Sequence, residues 1–143
     1  MKILAALDPT KKGGPILEKA VELAKLQKAE LIVMVVAENL FDAGDIAPIG
    51  EISDKLASAA KSAAAEYEAK AKALGISPQV VVEQSPSPAD SIIKTAEARK
   101  VDMVVLGSRS KTGLDRFLLG SVANKVVAHA PCSVLVYRPV AGK

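Results

Sequence analysis

The sequence predicts an α/β protein: a three-layer sandwich with a five-stranded parallel sheet and four helices. Three observations carry that expectation. Strand and helix signals alternate along all 143 residues. The segment 31–36, LIVMVV, is aliphatic without a break, as in a parallel strand covered on both faces. With 50% hydrophobic but only 3% aromatic residues, the core has to be built from Ala, Val, Ile and Leu.

The elements follow in order. KILAAL over residues 2–7 is a short apolar run that ends in the turn-rich Asp8-Pro9-Thr10-Lys11-Lys12-Gly13-Gly14. Pro15 suits a first helical position, and Ile16, Ala20, Leu23 and Ala24 make one apolar face behind it. The second strand is 31–36, and 38–50 is irregular, broken by Gly44, Pro48 and Gly50. A long amphipathic helix is expected over 52–74, because Ile52, Leu56, Ala59, Ala63, Tyr67, Ala71 and Leu74 keep steps of three and four. Gly75 supplies its stop. A third strand begins over 79–82. Ser87, Pro88 and Asp90 then give a cap, a first-turn proline and a carboxylate at the positive end of a dipole. Ile92, Ile93 and Ala96 of that helix should face the sheet. The fourth strand is 101–106, the fourth helix begins at Gly120-Ser121, and the fifth strand is 133–137. No repeat, low-complexity tract or linker interrupts the chain, so residues 1–143 are expected to form a single domain.

Bulk properties narrow the function. A net charge of +3, with Lys and Arg interspersed among Asp and Glu as in 61–72, reads as a solvated face. So few aromatics offer no stacking platform, and nucleic-acid binding is not expected. The single cysteine, Cys132, cannot form an internal disulfide and fits a cytoplasmic protein. No stretch approaches the roughly 20 apolar residues of a membrane span. MKILAALD at the start reads as a strand, not as a secretion leader.

The informative stretch is 101–137, where a strand runs into a glycine, a basic loop, a Gly-Ser step, a helix and a last strand. Free N–H groups at a helix start, beyond the carboxyl end of a parallel strand, hold phosphate well. Asp8 and Gly107 end the first and fourth strands. If those strands are neighbours, the two residues form opposite walls of one crevice. Asp8 can accept from a ribose or an adenine amino group, or simply begin a turn. Gly107 can admit a close ligand or make a tight bend. Ser121 can cap the helix, bind a phosphate, or do both. Arg109, Lys111 and Arg116, with Lys11 and Lys12 after Asp8, raise the local potential for an anion.

Several enzyme signatures are missing. There is no G-x-x-x-x-G-K-[ST] loop, and no G-x-G-x-x-G follows the first strand. His129, the sole histidine, falls near the end of the fourth helix, away from the crevice, so a triad or metal site around it is not expected. Cys132 reads as a small buried side chain. No base or nucleophile stands out.

Three segments give the chain a family likeness: KILAALDPT, PADSIIKTAEARKVDMVVLGS and LLGSVANKVVAHAPCSVLVYRP. Along nearly its whole length the chain resembles the universal stress proteins. That resemblance implies strand order 3-2-1-4-5, which makes Asp8 and Gly107 neighbours. It also implies ATP binding through a G-x2-G-x9-G-[ST] pattern, here Gly107, Ser110, Gly120 and Ser121, with Ser110 in place of the middle glycine. The adenine side would take Ala6, Leu7, Asp8 and a strand-two valine, Val35 or its neighbour Val36. The phosphate side would take Leu106, Gly107, Arg109, Ser110, Gly120, Ser121 and Val122. ATP is the implied ligand, with ADP or AMP as alternatives, and Mg²⁺ would bridge the phosphates. The family pattern further implies a stress-response homodimer paired through the last strand, 133–137, whose apolar edge suits pairing. Two alternatives stay open: a nucleotide-free interaction module, favoured by Ser110, and slow ATP hydrolysis or nucleotidyl or phosphoryl transfer.

Overall fold

The fold is given by a computed structural model that describes residues 1–10, 12–39, 49–108 and 119–139, with the side chains of 49–53 outside that description. Its elements in chain order are β1 (Lys2–Leu7), α1 (Gly14–Gln27), β2 (Glu30–Glu38), α2 (Ile49–Ala73), β3 (Gln79–Ser85), α3 (Pro88–Ala98), β4 (Met103–Gly107), α4 (Ser121–His129) and β5 (Ser133–Tyr137). The five strands form one parallel sheet in the order β3-β2-β1-β4-β5. The parallel α/β sheet is what the alternating pattern predicted, and the strand order is the one the family resemblance implied.

Strand alternation divides the core in two. Ile3, Ala5 and Leu7 of β1, with Leu31, Val33 and Val35 of β2, pack against α1 and α2. Leu4, Ile32, Met34 and Val36, with Val104 and Leu106 of β4, pack against α3 and α4. Each fully buried Leu, Ile or Val side chain contributes about 1.5–3 kcal/mol of transfer free energy, so both layers hold the central strand firmly. Among the described residues, no helix is long and apolar enough to cross a membrane.

Local chemistry sets the boundaries. The Ser87 side chain caps α3 by accepting from the Asp90 N–H at 3.3 Å. Gly75 ends the turn after α2 with φ +96, a left-handed conformation where a side chain would be strained. Pro15 is the second helical residue, because Gly13 is the cap and Gly14 opens α1. The fourth strand starts two residues later than its apolar run suggests. The Val101 N–H bonds back to the Ala96 carbonyl (2.9 Å), which keeps Val101 in the helix exit. β2 and β3 run on to Glu38 and Ser85, past the aliphatic residues that announced them. Helix α2 begins at Ile49, inside the segment expected to be irregular, of which 40–48 lie outside the described residues.

One face of α2 differs from expectation. Ala59 is exposed, whereas Ala60 and Ala64 are buried beside Ala63, Tyr67 and Ala71. The run ASAAKSAAAEY offers alanines on every side of the helix, so spacing does not choose among them. In α3, Ala89 and Thr95 join Ile92 and Ala96 in the buried face, while Ile93 is only partly covered.

Candidate functional site

All carboxyl ends of a parallel sheet lie along one edge, and the connections after β1 and β4 leave it toward opposite faces. β1 passes to α1 on one side of the sheet and β4 to α4 on the other. Because β1 and β4 are paired neighbours, with Ala5 opposite Val105, the strand order reverses between them. A ligand crevice is expected there. Ala6, Leu7 and Asp8 reach it from one strand, Leu106 and Gly107 from the next.

Asp8 is exposed, and its Oδ1 accepts from both the backbone N–H (2.6 Å) and the hydroxyl of Thr10. The carboxylate therefore organises its own turn, while its second oxygen stands outside that pair of bonds. The backbone of this loop is held from an element that no local signal connects with it. The Tyr67 hydroxyl of α2 donates to the Asp8 carbonyl and accepts from the Gly13 N–H at 2.9 Å, so one oxygen joins both ends of the β1–α1 turn. Tyr67 is 3% exposed. Burial pushes its phenol above the ordinary tyrosine value, opposed by the Gly13 hydrogen bond and reinforced by Asp8. A Cβ on Gly13 would stand 2.9 Å from this hydroxyl oxygen, so the loop approaches closely only because Gly13 has none.

On the β4 side, Leu106 is buried in the layer shared with α3 and α4. Gly107 faces the other way. A Cβ there would meet Ile16 Cδ1 of α1 at 3.3 Å, so this glycine has a packing role beyond those its sequence context suggested. The Ser108 carbonyl accepts from the Gly120 N–H at 3.1 Å, which ties the end of β4 to the start of α4. Gly120 is the cap of α4, with φ −61 and ψ 158, and Ser121 is the first helical residue, not the cap. Gly120 brings no side-chain oxygen to cap α4, in contrast to Ser87 on α3. The first-turn N–H groups of α4 carry the partial positive charge of a helix start.

An open cleft of about 210 Å³ lies before this helix. Glu38 at the end of β2, Pro86 and Ser87 ahead of α3, and Ser121, Val122 and Lys125 of α4 line it. Alternation places the two strand-two valines on opposite faces. Val35 is fully buried against α1 and α2, opposite Leu7, while Val36 is on the face of α3 and α4 where the cleft opens. Val36 thus turns its side chain to the face of the cleft, and Val35 can offer only its backbone there. Leu7 shares Val35's orientation and can offer only its backbone.

Arg109 and Ser110, with Lys11, Lys111 and Arg116, lie outside the described residues. His129 ends α4 and is exposed. Cys132 is only partly buried, not enclosed as expected; burial raises its thiol above the usual value, with Asp102 adding to the effect. Among the described residues, no group of three or more His, Cys, Asp or Glu side chains could hold a metal ion.

A doubly wound parallel sheet whose strand order reverses between β1 and β4, with an open cleft between the starts of α3 and α4, is the architecture of a class of ligand-binding α/β domains. The sequence matches the universal stress protein family over residues 1–138, and the chain belongs to that family. Universal stress protein YxiE of Bacillus subtilis is 30% identical, covering 96% of this chain and 98% of that protein. The match to universal stress protein MJ0531 of Methanocaldococcus jannaschii is local: 51% identity over 51 residues, 36% of this chain and 30% of that protein. The structure of UspA from Lactobacillus plantarum superimposes with a TM-score of 0.81 at 27% identity, covering 96% of this chain and 97% of the other. A universal stress protein from Archaeoglobus fulgidus in complex with dAMP shares the fold, with a TM-score of 0.70 at 22% identity, 96% of this chain and 98% of that one.

Proposed function

We propose that the chain is an ATP-binding universal stress protein acting as a dimeric, cytoplasmic regulatory module. The observation that carries this reading is the pairing of an α4 start whose cap, Gly120, has no side chain and is fixed to β4 through Ser108, with the Asp8 loop on the adjacent strand. The first suits a phosphate; the second suits the sugar or base. The dAMP complex of the A. fulgidus relative supports an adenine nucleotide as the ligand class. Adenine and ribose would lie along Ala6, Leu7, Asp8 and the strand-two valine, Val35 through its backbone, with Val36 as the alternative. Phosphates would lie against Leu106, Gly107, Arg109, Ser110, Gly120, Ser121 and Val122. A Mg²⁺ ion would be held by phosphate oxygens and water, as that ion prefers. Partner pairing would run along β5, an edge strand whose Val134, Leu135 and Val136 are only partly covered.

A second reading, a nucleotide-free interaction module, is favoured by Ser110 in the middle position of the glycine pattern. Acid extraction of the purified protein followed by calorimetric titration with ATP and AMP separates the two. Retained or titratable nucleotide without turnover supports the first; ligand-free protein with no heat of binding supports the second. Steady phosphate release with Mg²⁺ would instead establish hydrolysis. Ser110→Gly restores the pattern, and its affinity for ATP is expected to equal or exceed the original. A large loss of affinity would make the Ser110 hydroxyl a phosphate contact.

A further inference from the structure

Helices α3 and α4 bring a lysine and a carboxylate together at the rim of the cleft. Lys125 Nζ lies 2.9 Å from Asp90 Oδ1, with the two side chains 46% and 49% exposed. Lys125 stands four residues after Ser121, on the same face of α4, and both residues line the cleft. Helical side chains lean toward the N-terminus, which carries the Lys125 stem back over the first turn of α4. Asp90 is held differently. Its backbone N–H is fixed by Ser87 Oγ in the capped first turn of α3.

The two partners are therefore unequal: a short carboxylate on an anchored turn and a long, flexible ammonium beside an anion-favouring helix end. Lys125, and secondarily Ser87, hold the Asp90 carboxyl below its usual range, so it stays ionised at neutral pH and keeps its grip on the lysine. An exposed pair of this kind is cheap to break.

The geometry assigns Lys125 the role of reading ligand charge: it leaves Asp90 for a phosphate of the bound nucleotide, and Asp90 parks it at the rim until then. This rests on the nucleotide reading of the cleft and adds a specificity element to it. The pair senses the phosphate groups and not the base, so adenosine passes it unnoticed while AMP and ATP compete with Asp90 for the ammonium.

The test is calorimetric titration of the full chain with adenosine, AMP and ATP, in the original protein, Lys125→Met, Asp90→Asn and the double variant. Lys125→Met is expected to weaken AMP and ATP by about tenfold, the loss of one charge-assisted hydrogen bond, and to leave adenosine within about twofold. Asp90→Asn is expected to tighten AMP and ATP by about threefold by removing the competitor. The double variant should match Lys125→Met, since Asp90 acts through Lys125. An equal loss for adenosine, no change for AMP and ATP, or tightening that persists in the double variant overturns the role while leaving the nucleotide site standing. Failure of the original protein to bind any of the three overturns the nucleotide reading, and this assignment with it.

Discussion

Replacing Gly120 with valine is expected to abolish nucleotide binding while leaving the protein folded. Gly120 is buried and caps α4 with φ −61 and ψ 158, a backbone conformation open to any residue, so the helix start keeps its shape. Its N–H would still reach the Ser108 carbonyl. Valine adds a branched side chain at the cap, beside the N–H groups of residues 121–123 that the proposed phosphates would use. Losing two charge-assisted hydrogen bonds corresponds to about a hundredfold or more in affinity. Calorimetry with ATP measures the loss, and an unchanged melting temperature confirms that the fold survives. Undiminished affinity would remove the phosphates from this helix.

Tyr67→Phe is expected to produce the largest loss of stability among conservative substitutions. It removes one oxygen but leaves two backbone groups, the Gly13 N–H and the Asp8 carbonyl, without that partner. Unpaired buried groups cost about 1–3 kcal/mol, and the surrounding packing is otherwise preserved. The loop carrying Asp8 also loses its clasp, so affinity for ATP should fall with stability. The effect has a pH signature. Because the native state holds the Tyr67 phenol above its ordinary value, the stabilisation is complete below about pH 10 and is lost as pH rises through the native value. In that window the unfolded chain releases the Tyr67 proton while the native protein retains it. Denaturant melts at pH 8 and near pH 11 should therefore show the gap between the original protein and Tyr67→Phe narrowing at the higher pH. A constant gap would mean that the phenol does not carry the clasp.

The elements that were readable in advance are those whose signal is local. Ser133–Tyr137 begins and ends as its apolar run does, and the Ser87 cap bonds the N–H three residues on, as its type and spacing implied. The aliphatic run of β2 announced a doubly covered strand, and helices cover it on both faces. Signals that depend on a partner far along the chain were hidden. The Tyr67 hydroxyl meets groups 54 and 59 residues away, and nothing in AEYEA distinguishes it from a plain apolar position. Choosing between Val35 and Val36 required knowing which sheet face carries α3 and α4. In an unbroken aliphatic run, neither residue type nor period marks the faces. Alanines in α2 posed the same problem in helical form. The role of Gly107 was obscured for another reason: its neighbour Ile16 belongs to a helix on the opposite side of the sheet from the cleft.

The place of β1 at the centre of the sheet has a consequence for how the chain must be made. β1 needs a neighbour on each side, yet its partner Met103–Val105 of β4 lies far along the chain and is translated well after it. Until α3 and α4 follow, the nascent half-sheet presents Leu4, Ile32, Met34 and Val36 to water as an uncovered oily surface. The last third of the chain thus both completes the cleft and shields an early intermediate from clumping. A fragment ending at residue 85 is accordingly expected to be insoluble or to be captured by chaperones, whereas the whole chain folds freely.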